Sequence, residues 1–214
     1  MNFSANTNYN LDEKEDFLSV TSDDLLEAVD HGILVSKLAY SLSKQLGMEE
    51  DFCYTMANAG FVHDIGKLQI SEYLYGRRKD ALKIEELRYV RMHPVLGRDI
   101  LSRYGYEDII LTSVYHHHEN YDGSGYPDNL KSGDIPYGAR ILRICDVFAA
   151  LVSERRYRGA FQVNVAIELM IDEIKNFDME IFLSFLEMVH SEDMKEIVEH
   201  IESINRKYSY FRED

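Results

Sequence analysis

The sequence predicts an all-α protein that folds as one compact, single-domain helical bundle, and three observations favour this class. Apolar residues recur at three- and four-residue spacing along most of the chain, and no alternating strand pattern of useful length occurs. Hydrophobic residues make up 45% of the chain, which is enough for a buried core. Only 3 prolines interrupt 214 residues, a length that suits one domain and would also allow two small ones.

Helices are expected along nearly the whole chain. Gly47 ends the pattern of the first helix, whereas Pro94 and Gly97 predict an interruption in the third. Pro136 suits the first turn of a later helix, because its fixed φ and missing N–H are tolerated there. The expected spans are residues 21–46, 48–62, 84–104, 107–117, 136–151, 162–175, 179–189 and 192–207.

Polar segments mark the expected domain boundary and the longest loop. Residues 1–15 are polar and rich in asparagine, and they predict a flexible N-terminal lead-in. Residues 16–210 are then expected to form one domain. Residues 119–135 contain several glycines and Pro127, and they predict the longest loop of that domain.

Composition argues against several classes of partner. The 23 Lys and Arg against 38 Asp and Glu give a formal net charge of −15, which opposes binding to nucleic-acid polymers and to acidic membranes. No apolar run approaches the roughly 18–20 residues that cross a bilayer, and the N-terminal segment has neither the basic nor the apolar stretch of a signal peptide. Cys53 and Cys145 predict reduced, buried thiols. We therefore expect a cytoplasmic protein.

Eight imidazole and carboxylate side chains fall at helix ends or at helical spacing. Each of them alone has an ordinary explanation, such as a surface pair, a structural histidine, or a pairing of Asp146 with Arg140 or Arg143. Together they offer nitrogen and oxygen donors, without a thiolate, that could fill the first shells of two or three divalent ions. The set is Glu27, His31, His63, Asp64, His93, His117, His118 and Asp146.

This donor set suits phosphate ester hydrolysis. Mixed imidazole and carboxylate ligation favours iron or manganese, and zinc and nickel are also compatible with it. A carboxylate such as Asp64 can bridge two ions, and two ions about 3.5–4 Å apart can bind and activate a hydroxide. Metal ions would also supply the positive charge for a phosphate ligand in an acidic chain.

Four motifs then carry a resemblance to a known family. HDIGK at 63–67 marks the HD phosphohydrolase superfamily. The segments HPVLG at 93–97, HHENYDGSGYP at 117–127 and ARILRICDVFAAL at 139–151 narrow it further. In this order they resemble the HD-GYP family of cyclic di-GMP phosphodiesterases, and the resemblance runs from about residue 25 to residue 177.

The resemblance implies a helical bundle of the HD phosphohydrolase type with a metal centre at its middle. It assigns the metal ligands His63, Asp64, His93, His117, His118 and Asp146. Glu27 and His31 match an upstream pair that is associated in the family with a third metal.

The same resemblance implies the catalytic and substrate-binding residues. Asp64 bridges the metals, and Lys67 approaches the scissile phosphate, where its ammonium stabilises developing negative charge. The residues expected to bind the dinucleotide are Gly125, Tyr126, Pro127, Arg155 and Arg158. The chain departs from the family pattern at Arg156, where a proline is usual, and at residues 75–83, where a Lys-Pro-Gly segment is common.

The expected reaction is hydrolysis of cyclic di-GMP to pGpG by a metal-bridging hydroxide, with GMP as product if the pocket allows a second cut. One alternative keeps the chemistry and changes the substrate to another cyclic dinucleotide, such as cyclic GMP-AMP, or to a mononucleotide. Another alternative is a signalling module that binds a nucleotide or a diguanylate cyclase (GGDEF) domain with little turnover.

Overall fold

The computed structural model describes residues 22–70, 88–154 and 158–209. The predicted lead-in over residues 1–15, the start of the third predicted helix and Arg155 lie outside these ranges. Within them the chain is helical and contains no strand, which confirms the all-α class. No helix in this part of the chain combines the length and the hydropathy needed to span a bilayer.

The described ranges contain eight α-helices longer than one turn. Three short 3-10 segments lie at Ile65–Ile70, Ser132–Asp134 and Ile174–Asn176. The helices are α1 Ser22–Gln45, α2 Glu50–Val62, α3 His93–Arg103, α4 Asp108–His116, α5 Tyr137–Val152, α6 Val163–Asp172, α7 Met179–Val189 and α8 Asp193–Ser209.

The expected break in the third helix lies earlier than predicted. Residues 91–92 form a turn, and α3 begins at His93 with Pro94 in its first turn, where a proline is tolerated. Gly97 lies inside α3, so the expected interruption at this residue is wrong. Gly97 allows close packing of α3, because a Cβ atom on it would lie 3.3 Å from Cγ1 of Val114 and 3.5 Å from the amide nitrogen of Gly66. Gly66, in the 3-10 segment Ile65–Ile70, has even less room. A Cβ atom on Gly66 would lie 2.0 Å from the carbonyl oxygen of His93.

The core is built around α5, which packs against α1, α2, α4, α6 and α7. Phe148 of α5 meets Phe185 of α7 edge to face, with ring centroids 5.1 Å apart. Both rings and Leu38 of α1 are fully buried, and burial of each side chain contributes about 1.5–3 kcal/mol. The face of α5 that stays partly exposed carries Arg143 and Asp146.

Candidate metal centre and the adjoining loop

Seven of the eight predicted ligands converge where α1, α2, α3, α4 and α5 meet. The donor atoms form two groups, and within each group all of them lie within 4.8 Å of one another. Asp64 belongs to both groups. The first group is Asp64, His93, His117 and His118, and the second is His31, His63 and Asp64. Asp146 adjoins the second group, because its Oδ1 lies 3.1 Å from Nε2 of His31 and 3.6 Å from Nε2 of His63.

In the first group the imidazole rings turn their Nε2 atoms toward one another. Nε2 of His93 lies 3.2 Å from Nε2 of His117 and 3.1 Å from Nε2 of His118. Oδ1 of Asp64 lies 3.2 Å from Nε2 of His93 and 4.0 Å from Nε2 of His117. These atoms surround one small volume with electron pairs from four side chains.

In the second group the other oxygen of Asp64 faces two further histidines. Oδ2 lies 3.4 Å from Nε2 of His63 and 3.9 Å from Nε2 of His31. The two oxygens of one carboxylate thus serve two different sets of imidazoles. This is the arrangement expected of a residue that bridges two cations.

Main-chain hydrogen bonds fix which nitrogen of each buried ring can bind a cation. His63, His93 and His117 each place Nδ1 on the carbonyl oxygen three residues earlier, at 2.7, 2.7 and 2.6 Å. A carbonyl oxygen is an acceptor alone, so Nδ1 carries the proton and Nε2 is left with its lone pair. This is the second-shell pattern of metal-binding histidines.

Two buried polar atoms of the centre lack a hydrogen-bond partner among the described residues, namely Nε2 of His63 and Oδ1 of Asp64. Burial of such atoms without compensation costs about 1–3 kcal/mol each. Facing lone pairs, a shared carboxylate and these two orphaned atoms all need positive charge between them. The residues therefore fit divalent metal ions.

The environment also sets the protonation of the donors. Burial lowers the pKa of His93 to about 4, although Asp64 opposes this shift. Burial likewise lowers the pKa values of His117 and His118 well below the usual range. Burial alone would raise the pKa of Asp64, but His63 and Lys67 hold it well below its usual value. At neutral pH these groups are in the forms that ligate metals.

His63 and Asp146 are coupled. Burial lowers the pKa of His63, but the carboxylates of Asp64 and Asp146 outweigh it, and the net shift is upward. Burial raises the pKa of Asp146, yet the hydrogen bond with His31 and the nearby His63 imidazole hold it well below its usual value. The imidazoles and carboxylates of the second group therefore stabilise each other's charged forms.

Glu27 lies outside both groups. It is half-buried on α1 and lines a small recess that also includes His31, Ser153 and Glu154. Its assignment as a metal ligand remains a prediction.

Lys67 lies at the rim of the centre. Its ammonium forms an ion pair with Oδ2 of Asp64, and the side chain is 31% exposed. The 3-10 segment Ile65–Ile70 carries Lys67 three residues after Asp64, so the cation and the carboxylate emerge side by side. Partial exposure leaves the ammonium accessible to a ligand.

The glycine-rich loop, residues 119–135, contacts the metal centre through Tyr126. The amide N–H of Tyr126 donates to the carbonyl oxygen of His118 at 3.2 Å. The Tyr126 ring stacks on the His118 ring with centroids 4.8 Å apart and an interplanar angle of 19°. Gly125 is buried, and a Cβ atom there would lie 2.2 Å from the amide nitrogen of Asn120. Pro127 follows in a cis peptide.

Glu119 anchors the far side of this loop, and sequence reasoning missed it. Its side chain is fully buried, and Oε1 and Oε2 accept hydrogen bonds from the amides of Asp128 at 2.7 Å and Leu130 at 3.1 Å. The sequence signal for Glu119 was its position directly after two histidines and before the glycine-rich loop. Its acceptor role depends on two amides that lie nine and eleven residues further along the chain.

Two arginines near the loop have hydrogen-bond partners that the sequence did not predict. Arg158 donates to the carbonyl oxygens of Ala150 at 2.6 Å and Leu151 at 3.3 Å, which places it at the end of α5. Its assignment to the substrate remains a prediction. Arg143, which was considered only as a partner of Asp146, instead donates from Nε to Oδ1 of Asn120 at 3.0 Å.

Comparisons with known proteins agree on one family. The family model described as HD domain matches residues 11–181. A cyclic di-GMP phosphodiesterase of Pseudomonas aeruginosa is 31% identical over 160 residues, which are 74% of this chain and 38% of that protein. The 3'3'-cGAMP-specific phosphodiesterase 1 of Vibrio cholerae is 32% identical over 154 residues, 71% of this chain and 36% of that protein. The chain thus spans little more than a third of the length of these relatives.

A solved structure agrees on the fold. Bd1817, an HDG"Y"P protein from Bdellovibrio bacteriovorus, matches with a TM-score of 0.63 and 18% identity over 77% of this chain and 53% of that chain. At this identity the likeness speaks for the fold alone.

Proposed function

Because the chain belongs to the HD domain family, whose model matches most of its length, we propose that it is a metal-dependent phosphodiesterase for a cyclic dinucleotide. The resemblance to the HD-GYP family of cyclic di-GMP phosphodiesterases is confirmed, since relatives at 31% and 34% identity are named cyclic di-GMP phosphodiesterases. The observation that carries the proposal is Asp64, whose two oxygens face two separate sets of imidazoles. The active domain would be residues 16–210.

The cofactors proposed are two or three divalent metal ions, iron or manganese. When bound, they supply Lewis acidity and lower the pKa of water, as two-metal hydrolases require. His93, His117 and His118 would hold one position, His31, His63 and Asp146 the other, and Asp64 both. The recess shared by Glu27 and His31 supports a third position there.

The chain's own residues then bind and orient the phosphodiester. Lys67 at the rim would stabilise negative charge on the phosphate oxygens, because its side chain is partly exposed beside Asp64. Gly125, Tyr126 and Pro127 would form the wall of the pocket next to His118. Arg158, next to the end of α5, and Arg155, which lies outside the described residues, remain the proposed contacts.

Cyclic di-GMP is the proposed substrate, with pGpG as product and GMP after a second cut. Relatives of similar identity are named for cyclic di-GMP and for cGAMP, so cyclic GMP-AMP is the competing substrate. A binding module, with a nucleotide or a GGDEF domain as partner, is the remaining alternative.

The test pairs metal analysis with product analysis. Protein purified without oxygen is analysed for its metals and incubated with cyclic di-GMP, cyclic GMP-AMP and cyclic di-AMP, and the products are separated by chromatography. We expect two or three metal equivalents and conversion of cyclic di-GMP to a linear dinucleotide, with conversion lost in Asp64→Asn. Metal-loaded protein that leaves every cyclic dinucleotide intact contradicts the proposal, and tight binding without turnover favours the binding module.

A further inference from the structure

Arg143 lies next to the metal centre and has no assigned role. It precedes Asp146 by three residues on α5, so both side chains project from the same face of this helix. That face is the partly exposed one, whereas the rest of α5 is buried in the core. Arg143 therefore shares with Asp146 the side of α5 that carries the second group of donors.

The guanidinium is held in place but not neutralised. Among the described residues its hydrogen bonding is limited to Nε, which donates to Oδ1 of Asn120 at 3.0 Å. No carboxylate of the described part of the chain lies within salt-bridge distance of it. Burial lowers the pKa of Arg143, whereas Asp146 and Tyr126 favour its charged form. Burying a cation without an ion pair costs free energy unless a bound anion compensates its charge.

Other cations near α5 are engaged within the fold. Arg140, one turn earlier, forms an ion pair with Oδ2 of Asp178 at 2.6 Å. Lys67 pairs with Asp64, and Arg158 donates to main-chain carbonyl oxygens at the end of α5. Arg143 differs from all three, because its two terminal nitrogens stay available for an anion.

Lys67 and Arg143 are fixed to different parts of the site. Lys67 pairs with Oδ2 of Asp64, whereas Arg143 donates to Asn120 at the start of the loop that carries Tyr126. A cyclic dinucleotide carries two phosphodiesters, and one of them must lie at the metal ligands for cleavage. Lys67, beside Asp64, is placed for the phosphate that is cut. Arg143, on the side of the Tyr126 loop, is placed for the other.

Building on the proposed function, we propose that Arg143 binds the phosphodiester of the cyclic dinucleotide that is not cleaved. Asn120 holds Nε and thereby orients the fork of terminal nitrogens. A planar guanidinium matches two oxygens of one phosphate, and a charge-assisted pair of this kind is strong and directional. Arg143 is thus a residue that favours substrates with two phosphates over simple diesters.

The test compares substrates with one and two phosphates in steady-state kinetics of the metal-loaded protein. The variants are Arg143→Met, Arg143→Lys and, as a control that removes the same charge from an exposed site, Arg103→Met. The substrates are cyclic di-GMP and bis(p-nitrophenyl) phosphate, which has a single phosphodiester. Cyclic di-AMP is added as an inhibitor of the second reaction.

We expect Arg143→Met to raise KM for cyclic di-GMP by about 10- to 100-fold, the range of one hydrogen bond to a charged group. Its inhibition by cyclic di-AMP should weaken by a similar factor. Its kcat/KM for bis(p-nitrophenyl) phosphate should stay within about 2-fold of wild type, which also shows that the variant folds. Arg143→Lys should recover part of the loss because it keeps the charge without the fork.

Three results would overturn the inference. Equal losses on both substrates assign Arg143 to the cleaved phosphate or to the loop. A loss for cyclic di-GMP without weaker inhibition by cyclic di-AMP assigns it to the guanine base. No change relative to Arg103→Met removes any role. Wild-type protein that cuts bis(p-nitrophenyl) phosphate but neither cuts nor binds a cyclic dinucleotide refutes the proposed function as well, and this outcome is distinct from the other three.

Discussion

The Nε2 atoms of His93 and His117 lie 3.2 Å apart, although each ring keeps its proton on Nδ1 at a main-chain carbonyl oxygen. Two lone pairs therefore face each other inside the bundle, and Oδ1 of Asp64 adds a third from 3.2 Å. Such a contact is repulsive without a cation. The folded protein should consequently be more stable with its metals than without them.

Removal of the metals should lower both activity and thermal stability. A ligand at 100 times its Kd stabilises a fold by about 2.7 kcal/mol, which corresponds to roughly 5–10 °C in Tm for a domain of this size. We expect chelation to lower Tm by about this amount and to abolish phosphodiester cleavage, with both restored by iron or manganese. Calorimetry with and without chelator measures the shift. An unchanged Tm in a protein shown to be metal-free would contradict the prediction.

The two ligand groups should lose metal independently of each other. His118→Ala removes a donor of the first group and His31→Ala one of the second, whereas Asp64→Asn weakens both. We expect each histidine variant to lose about one metal equivalent and Asp64→Asn to lose about two. Elemental analysis after gel filtration provides the counts. His190→Ala is the control, because this exposed histidine at the end of α7 belongs to neither group. Loss of about two equivalents in either histidine variant would mean that the two groups bind metal as one unit.

Gly66 should be essential for the position of His93. A Cβ atom on Gly66 would lie 2.0 Å from the carbonyl oxygen of His93 and 2.6 Å from the amide nitrogen of Gly97. Gly66→Ala must therefore push α3 away from Asp64, and we expect at least about a 10-fold loss of activity. Such overpacking typically costs about 1–3 kcal/mol of unfolding free energy.

The matched control for this variant is Gly133→Ala. Gly133 is exposed and has open space around the position of a Cβ atom. Activity and unfolding of Gly133→Ala should resemble wild type. If Gly66→Ala keeps wild-type metal content and turnover, the close contact does not position His93.

Several features of the site could be predicted from the sequence because they are local. His63 and Asp64 are adjacent, His117 and His118 adjoin the loop, and the structure brings them together as expected. Asp146 was assigned to the metal site by the resemblance alone. Helical spacing offered Arg140 and Arg143 as its partners, but its neighbours in the structure are His31 and His63.

The partners of the arginines depend on segments of the chain outside the helices that carry them. Arg140 turns to Asp178, 38 residues away, and Arg158 folds back onto the end of α5. Such pairings cannot be predicted from sequence spacing, because they depend on how the connecting segments place distant residues against the helical bundle. Gly97 was expected to interrupt the helix because glycine is a weak helix former, but it lies inside α3 beside Gly66.

Glu119 should hold the loop of Tyr126 through its two main-chain hydrogen bonds. Glu119→Gln preserves size but replaces one acceptor oxygen with an NH2 group that faces an amide N–H of Asp128 or Leu130. Leaving that buried donor unsatisfied should cost about 1–3 kcal/mol of unfolding free energy. Urea denaturation of the metal-free protein measures this cost apart from metal binding.

The same variant should weaken substrate binding more than metal binding. Tyr126 depends on the loop for its place on His118, whereas His118 itself is set by the end of α4. We expect Glu119→Gln to retain its metals and to raise KM for cyclic di-GMP, because the wall of the pocket loses its anchor. Glu168→Gln, at an exposed position on α6, is the control. Wild-type KM in Glu119→Gln, together with an unchanged free energy of unfolding, would show that the loop keeps its place without this carboxylate.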